Sequence, residues 1–256
     1  MDLGIRGRVA VVTGASSGIG AAVALALAAE GVRLAVAARR LDRLEEVSER
    51  ARAAGALDAL AVRVDLTDPA SIAAMFSTIS SRYGSVDILV ANGGGPKAGA
   101  YGEVGAGDWE MAHRSTLRAM LDLVDGVLPG MKAKQWGRIV ALTSTSVKQP
   151  IPNLVLSNAF RTALVSTLKS LAGAVARDGI TINAIATGRV ATDRLRQLYG
   201  DEAAMREAAE RDVPIGRVAT PEEYAPLVAF LCGDPARYVT GQTISVDGGL
   251  IRGLFG

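Results

Sequence analysis

Short apolar runs alternate with longer Ala- and Leu-rich stretches along the first hundred residues of the chain. The runs RVAVVTG, RLAVAAR, LAVRVDL and VDILVAN have the β-branched content of buried strands, and the stretches between them have helical apolar spacing. A regular alternation of buried strands and helices is typical of a parallel sheet with helices on both faces. The pattern therefore predicts an α/β fold with a doubly wound sheet.

The second half of the chain continues the same alternation. GRIVALTS, ITINAIAT and QTISVDG predict further strands, about seven in all, and long helices are predicted at about 108–132, 155–178 and 221–232. No linker or low-complexity segment interrupts these elements, and 256 residues are within the range of one α/β domain. We therefore expect a single domain over 1–256.

Composition and charge add mainly exclusions. The 28 basic and 26 acidic residues are interspersed, so no polybasic arm or acidic tail indicates a nucleic-acid or membrane partner. The N-terminus lacks the features of a secretory signal, and no run of about 18 uncharged apolar residues occurs, so a cytoplasmic protein is expected. One cysteine, Cys232, and one histidine, His113, provide no zinc-type ligand cluster, and both are expected to serve packing.

The first predicted strand runs directly into a glycine-rich turn, TGASSGIG, after which a helix begins. Gly14, Gly18 and Gly20 permit a tight turn and a close approach of the backbone, and the helix N-terminus offers free N–H groups and a positive dipole end. This arrangement suits the pyrophosphate of a dinucleotide. The alternative is that a tight strand-to-helix turn needs glycine for steric reasons alone.

The end of the second predicted strand, VAARR, bears on the identity of the dinucleotide. An NAD site usually has an acidic residue near this point, which accepts from the adenosine ribose hydroxyls. Here Ala38 is followed by Arg39 and Arg40, which can instead bind a 2′-phosphate. NADP(H) is therefore favoured over NAD(H), with Arg39 as the stronger candidate; the alternative is that both arginines are solvated loop charges.

Taken together, these motifs resemble those of the short-chain dehydrogenase/reductase family over nearly the whole chain. TGASSGIG is similar to the family's TGxxxGIG, VDLTD to its acidic turn after the third strand, and DILVANGGG to DILVNNAG, with Ala91 and Gly93 as departures. INAIATG resembles INAIAPG with Thr187 in place of proline, and the segment from residue 221 onward resembles bacterial 3-oxoacyl-[acyl-carrier-protein] reductases. The resemblance implies a Rossmann-like fold and a homotetramer or homodimer.

The resemblance also implies which residues bind the cofactor. They come from the glycine loop, from the ends of the following strands, from the long helix near residue 160 and from the segment after INAIATG. The implied set is Gly14, Ser16, Ser17, Gly18, Ile19, Gly20, Arg39, Asp65, Leu66, Asn92, Gly94, Arg161, Gly188, Val190 and Thr192.

For the reaction, the resemblance implies a non-standard catalytic tetrad. The family's serine position falls on Ser144, its tyrosine position on Ser157, its lysine position on Arg161 and its asparagine position on Thr116. In the family, hydride moves between nicotinamide and a carbonyl or alcohol carbon while the tyrosine exchanges a proton with the oxygen. A serine hydroxyl is a very poor base near neutrality, whereas a phenol has a pKa of about 10 that a neighbouring ammonium lowers further.

Arg161, at the family's lysine position, keeps the positive charge of the residue it replaces. Ser157 and Arg161 are four residues apart and share one helix face, so Arg161 can still hold the nicotinamide-ribose hydroxyls.

Other side chains near the expected mouth of the active site could supply a proton, although each is expected to serve packing or to lie on the surface. They are Tyr101, Tyr199, Lys97 and Lys148.

Two functions remain open from the sequence. One is an NADP(H)-dependent reductase of a small-molecule carbonyl substrate, 3-oxoacyl-like, in which Ser144 acts with a displaced acid. The other is a family member that binds NADP(H) and serves as a sensor or structural subunit. The segment at about 189–217 is predicted to form a lid, in which Arg194 and Arg196 either attract an anionic group or are solvated helix charges.

Overall fold

The seven strands found within residues 1–254 join one parallel sheet in the order β3-β2-β1-β4-β5-β6-β7. The computed structural model describes residues 1–254. The predicted doubly wound sheet of about seven strands is confirmed. The strands are β1 Val9–Thr13, β2 Arg33–Ala38, β3 Asp58–Arg63, β4 Ile88–Ala91, β5 Gly137–Leu142, β6 Ile180–Thr187 and β7 Thr243–Val246.

Helices connect the strands and cover both faces of the sheet. The predicted helix at 221–232 matches the last α-helix, and the one at 155–178 is an α-helix that ends at Val175 and continues as a short 3₁₀ turn. The α-helices are α1 Gly18–Ala29, α2 Leu41–Ala54, α3 Pro69–Tyr83, α4 Ala106–Ala112, α5 Ala119–Lys134, α6 Val155–Val175, α7 Asp193–Tyr199, α8 Glu202–Asp212 and α9 Pro221–Cys232.

The predicted helix at about 108–132 differs in the structure, where a π-helical turn over His113–Arg118 separates α4 from α5. A π turn inserts one residue while the helix axis continues, so the apolar spacing of a segment does not reveal it. His113 packs against the ring of Phe160, with ring centroids 5.8 Å apart, in keeping with its predicted packing role. Cys232 is buried in the core, also as predicted.

Alternate residues of β1 supply the two halves of the hydrophobic core. Val9 and Val11 belong to the cluster beneath α3, α5 and α6, whereas Ala10 and Val12 belong to the cluster beneath α1, α2 and α9. Side chains that alternate along a strand reach both faces, and each buried aliphatic side chain contributes about 1.5–3 kcal/mol to folding. The strand therefore reads as a continuous apolar run because both of its faces are covered.

The order in which strands are added to the sheet changes side at β1, which pairs with β2 on one side and with β4 on the other. In an open parallel sheet, a crevice forms at such a switch point, beyond the carboxyl ends of the two strands. Among residues 1–254, no helix is long and apolar enough to cross a membrane, and no cluster of His, Cys, Asp and Glu side chains has the arrangement of a metal site.

Candidate active site

The turn after β1 takes a backbone conformation that only glycine adopts easily. Gly14 has φ +60° and Gly18 has φ +55°, both in the left-handed region. At Gly20 the constraint is steric, because a Cβ there would lie 2.3 Å from the carbonyl oxygen of Gly14. The three glycines thus let α1 begin directly above the crevice, with its N-terminal N–H groups free to meet an anion.

Asn92, which follows β4, fastens the glycine turn to the neighbouring strand. Its backbone N–H donates to Oγ1 of Thr13 at 2.9 Å, and the Thr13 hydroxyl in turn donates to the carbonyl of Asn92 at 2.7 Å. The Asn92 side-chain amide donates to the carbonyl of Gly14 at 3.3 Å. Asn92, a predicted cofactor-binding residue, therefore holds the glycine turn in place.

The two arginines after β2 have different neighbours. Nη2 of Arg40 donates to the hydroxyls of Ser16 and Ser17, at 3.1 and 3.2 Å, so this guanidinium rests on the glycine turn. Arg39 lies within electrostatic reach of Asp65. The sequence favoured Arg39 as the 2′-phosphate ligand, and that assignment stays a prediction; Arg40 is the arginine that contacts the glycine turn.

Asp65, at the end of β3, is held by its own turn. Its Oδ1 accepts from the backbone N–H of Thr67 at 2.9 Å and from the Thr67 hydroxyl at 2.8 Å. These hydrogen bonds, with smaller contributions from the charges of Arg39 and Arg63, hold the pKa of Asp65 below its usual range. Leu66, the next residue, packs close to Gly93 at the start of the loop after β4.

A cavity of about 310 Å³ lies between the glycine turn and the carboxyl ends of β4, β5 and β6. It gathers most of the residues that the sequence predicted for cofactor binding and catalysis. Of the predicted set, Ser16, Arg39, Asp65, Leu66 and Thr116 lie outside its lining. The predicted residues that line it are Gly14, Ser17, Gly18, Ile19, Gly20, Asn92, Gly94, Ser144, Ser157, Arg161, Gly188, Val190 and Thr192.

Ser146 links the two serines at the predicted catalytic positions through hydrogen bonds. The backbone N–H of Ser146 donates to Oγ of Ser144 at 3.1 Å, and the hydroxyls of Ser146 and Ser157 are hydrogen-bonded at 3.1 Å. Ser157 is only 4% exposed. The hydroxyl at the family's tyrosine position therefore belongs to a buried side chain and already has a partner; both serines line the first cavity, and Ser144 also lines a second one.

Arg161 extends from α6 toward the same cavity. Its Nη1 donates to the carbonyl of Leu142 at 3.0 Å. Burial, together with the like charge of Arg194, lowers the pKa of Arg161 to about 10. The guanidinium therefore stays protonated near neutral pH and provides a fixed positive charge rather than a group that can exchange protons.

A second guanidinium, that of Arg194 in the first turn of α7, reaches over the cavity from the opposite wall. Its Nη2 donates to the carbonyl of Pro96 at 2.6 Å, and a Cβ built on Gly95 would lie 3.0 Å from its Nε. Thr192, which caps α7, packs against Gly18. The start of α7 thus crosses the crevice between the glycine turn and the loop after β4.

The remaining predicted catalytic position is not brought into the cavity. Thr116 lies in the π-helical turn and is 3% exposed, and within the described part of the chain its hydroxyl has no hydrogen-bond partner. A threonine hydroxyl is too short to replace the reach of an asparagine amide. The assignment of Thr116 to the catalytic set stays a prediction.

The alternative proton donors named from the sequence lie in different surroundings. Nζ of Lys97 pairs with Asp108 at 2.8 Å on the surface, and the side chain of Tyr101 is 79% exposed. Tyr199 lines a second cavity, where the guanidinium of Arg189 lies 5.5 Å from its ring centroid. Lys148 lies in neither cavity lining.

This second cavity, of about 620 Å³, adjoins the first. Its wall contains prolines and aliphatic residues of the segments 150–154 and 250–251, together with an ion pair in which Nη2 of Arg189 lies 2.6 Å from Oδ2 of Asp212. Hydrogen bonds from Arg211 and Arg189 hold the pKa of Asp212 well below its usual range. The two cavities share Ser144, Leu154, Thr187, Gly188, Leu195 and Leu198.

One polar pair at this junction was missed by the sequence analysis. The hydroxyls of Thr187, the last residue of β6, and Tyr224, on α9, lie 2.7 Å apart. Tyr224 is fully buried. The available signal was the threonine that stands where the family motif has proline, but nothing in the sequence pairs it with a tyrosine 37 residues later.

Comparisons with known proteins agree with this architecture. A family model described as enoyl-(acyl carrier protein) reductase matches residues 14–251. The chain is 38% identical, over 94% of its length and 92% of the relative's, to a putative ketoacyl reductase of the granaticin polyketide synthase from Streptomyces violaceoruber. It is 35% identical, over 97% of its length and 99% of the relative's, to the 3-oxoacyl-[acyl-carrier-protein] reductase FabG of Salmonella typhimurium.

Among solved structures, the chain is similar to L-sorbose reductase from Gluconobacter frateurii, which was crystallised with NADPH and L-sorbose. The TM-score is 0.93 at 34% identity, and the alignment covers 99% of this chain and all of the other. The glycine turn, the switch point and the cavity at the ends of β4 to β6 therefore occur in a chain that belongs to the short-chain dehydrogenase/reductase family of oxidoreductases.

Proposed function

We propose that this protein is an NADP(H)-dependent reductase that transfers hydride to the carbonyl carbon of a 3-oxoacyl-like substrate. The observation that carries the proposal is the junction of two cavities at Ser144 and Thr187. The first cavity has the glycine turn and Arg161, which suit a nicotinamide dinucleotide, and the second is wide and largely apolar, which suits the body of an organic substrate.

The preference for NADP(H) rests on the charges after β2. Ala38 occupies the position at which an acidic residue would accept from ribose hydroxyls, and Arg39 and Arg40 follow it. Arg40 is positioned over Ser16 and Ser17, so its guanidinium can reach a phosphate that lies on the turn. The similar L-sorbose reductase was crystallised with NADPH, which supports this choice.

The segment 189–217 is proposed as a lid over the substrate. It contains α7 and α8, and both Leu195 and Leu198 of α7 line the two cavities. Apolar side chains at this place exclude water from the point of hydride transfer.

In the proposed reaction, the cofactor supplies the hydride and the side chains supply positioning and charge. The hydroxyl of Ser144 donates a hydrogen bond to the substrate oxygen, and Arg161 holds the ribose hydroxyls next to the nicotinamide. Ser157 does not act as a base, because its hydroxyl is buried against Ser146. Positioning alone can supply a large part of the rate, and a positioned proton donor typically adds about 10²- to 10⁴-fold.

The serine at position 157 also favours a second candidate function. A serine in place of the tyrosine, hydrogen-bonded to Ser146, suits a subunit that binds NADP(H), serves as a sensor or a structural subunit, and catalyses no reaction. The intact glycine turn fits both functions.

Two measurements on the full chain distinguish them. NADPH affinity is measured by fluorescence titration, and NADPH oxidation is then followed with 3-oxoacyl thioesters and with simple ketones. Turnover that is lost in Ser144→Ala supports the reductase. Micromolar or tighter NADPH binding with no turnover on any substrate would support the binding subunit instead.

A further inference from the structure

The hydroxyl pair of Thr187 and Tyr224 lies at the junction of the two cavities. Thr187 lines both cavities at their junction, and Tyr224 lies behind it, fully buried on α9, with the two oxygens 2.7 Å apart. A buried tyrosine hydroxyl needs a partner, and here the partner is the hydroxyl of a residue that lines both cavities. The pair therefore forms a continuous path from the core to the cavity.

The sheet register puts Thr187 beside Ser144. Leu142 of β5 pairs with Ile185 of β6, and Ser144 and Thr187 each follow two residues later. Neighbouring strands are about 4.8 Å apart, so the two residues emerge side by side at the same edge of the sheet. One substrate oxygen at the junction can then lie within reach of both hydroxyls.

We propose that Thr187 donates the proton to the substrate oxygen and that Tyr224 restores it through the hydrogen bond between them. This proposal rests on the reductase function proposed above. Thr187 is the catalytic residue in this scheme, because it touches the substrate, and Tyr224 is a positioning and relay residue that acts through it.

The proton and electron balance of the step is complete with NADPH as the hydride source and water as the final source of the proton. The hydride of NADPH forms a C–H bond at the carbonyl carbon, and the π electrons of the C=O bond move to oxygen as NADP⁺ forms. The Thr187 O–H breaks to give the alcohol O–H, and the Tyr224 O–H breaks to restore Thr187. The resulting phenolate regains its proton from water along the same path once the product has left.

The surroundings of Tyr224 suit a donor. Burial raises the pKa of Tyr224, so the phenol is neutral before the reaction, and the charge of Arg161 acts in the opposite direction and stabilises the transient phenolate. Ser157 is less suited to this part, because its hydroxyl partner is another aliphatic hydroxyl, that of Ser146, and not a phenol that can give up a proton. Two hydroxyls on β6 and α9 would thus replace the single tyrosine of the family.

The test compares kcat, KM, NADPH affinity and the solvent deuterium isotope effect on kcat in four variants. Thr187→Val keeps the shape and removes the hydroxyl, and kcat should fall about 100-fold or more while KM and NADPH affinity change less than threefold. Thr187→Ser should recover at least a tenth of the original kcat. Tyr224→Phe should lower kcat at least tenfold and diminish the isotope effect.

A matched control comes from the other end of the same strand. Thr181 of β6 is also buried, and its hydroxyl has no hydrogen-bond partner among residues 1–254, so Thr181→Val should leave all four quantities unchanged. If Thr187→Val does not fold, Tyr224→Phe still tests the relay because the ring packing is preserved.

Each other outcome overturns the inference. A kcat within threefold of the original protein in Thr187→Val excludes the donor while the reductase function stands. An equal loss in Thr187→Val and Thr187→Ser, or a loss confined to NADPH affinity, makes Thr187 a packing or cofactor contact. Absence of turnover in the unmodified protein removes the reductase function, and the relay with it.

Discussion

Arg194 donates a hydrogen bond to the carbonyl oxygen of Pro96 at 2.6 Å, which joins α7 to the loop after β4 across the cavity. The guanidinium also lies near enough to Arg161 for its charge to lower the pKa of that residue. Two like charges converge on one cavity, an arrangement that favours an anion between or beside them. The diphosphate of a dinucleotide has this charge.

Arg194→Met should therefore raise the Kd for NADPH about tenfold, the loss expected for one charge-assisted hydrogen bond. The matched control is Arg196→Met on the same helix, because Arg196 is exposed and pairs with Asp193 at 3.0 Å. Fluorescence titration of both variants checks the prediction. Equal affinities in the two variants would show that Arg194 does not contact the cofactor.

The two arginines after β2 should differ in their effect on cofactor choice. Arg39→Gln should weaken NADPH binding about tenfold and leave NADH binding unchanged, because only NADPH carries the 2′-phosphate. Arg40→Gln should weaken the binding of both dinucleotides, since Arg40 also holds Ser16 and Ser17 of the glycine turn. The exposed Arg43 of α2, which pairs with Glu46, provides the control Arg43→Gln. If Arg39→Gln and Arg40→Gln had the same ratio of the Kd for NADPH to the Kd for NADH, the assignment of Arg39 to the 2′-phosphate would be wrong.

Two glycine substitutions should change stability in opposite directions. Gly20→Ala places a Cβ 2.3 Å from the carbonyl oxygen of Gly14 and should lower the free energy of unfolding by about 2 kcal/mol, since backbone must move. Gly173→Ala, in the exposed last turn of α6, meets nothing within 4 Å and should raise it by about 0.5–1 kcal/mol. Urea denaturation measures both. Destabilisation by Gly173→Ala would show that α6 is more closely packed than described.

The start of α9 should become less stable in acid. Hydrogen bonds from Arg217 and from the backbone N–H of Thr220 lower the pKa of Glu223 to about 2. Because the folded pKa is below the ordinary value of 4.5, the carboxylate stabilises the fold above that value and loses this effect as the pH falls through about 2. The gap in unfolding free energy between the original protein and Glu223→Gln should therefore narrow between pH 6 and pH 3.

The neighbouring Glu222 gives the control for that measurement, because it lies in the same first turn of α9. Glu222→Gln should show a smaller gap at pH 6 than Glu223→Gln does. If the difference in unfolding free energy between the original protein and Glu223→Gln did not change with pH, the charge of Glu223 would not stabilise the fold.

The elements that sequence predicted well are those in which local spacing decides the structure. The apolar run of β1 and the glycines at 14, 18 and 20 determine a buried strand and a tight turn whatever the rest of the chain does. The crevice follows from them, because a turn of this kind can be placed only at the carboxyl end of a parallel strand. Most residues expected at the cofactor site accordingly line one cavity.

The features that sequence could not predict depend on contacts between distant parts of the chain. The partner of Tyr224 is 37 residues away, and the approach of Arg194 to Pro96 spans 98. The π-helical turn at Thr116 leaves no trace in apolar spacing. Similarly, a run of two arginines does not show that Arg40 is the one whose side chain folds back over the glycine turn.

The use of guanidinium groups at the cavity has a consequence for the conditions under which this protein works. Arg161 has a pKa of about 10, so its charge is the same at pH 5 as at pH 8. Burial and like charges lower the pKa of a lysine more readily, so the charge of a lysine at this position would change more with pH. Dinucleotide binding in this cavity should consequently tolerate wide changes in the acidity of its surroundings, and regulation by mild acidification would have to act elsewhere on the chain.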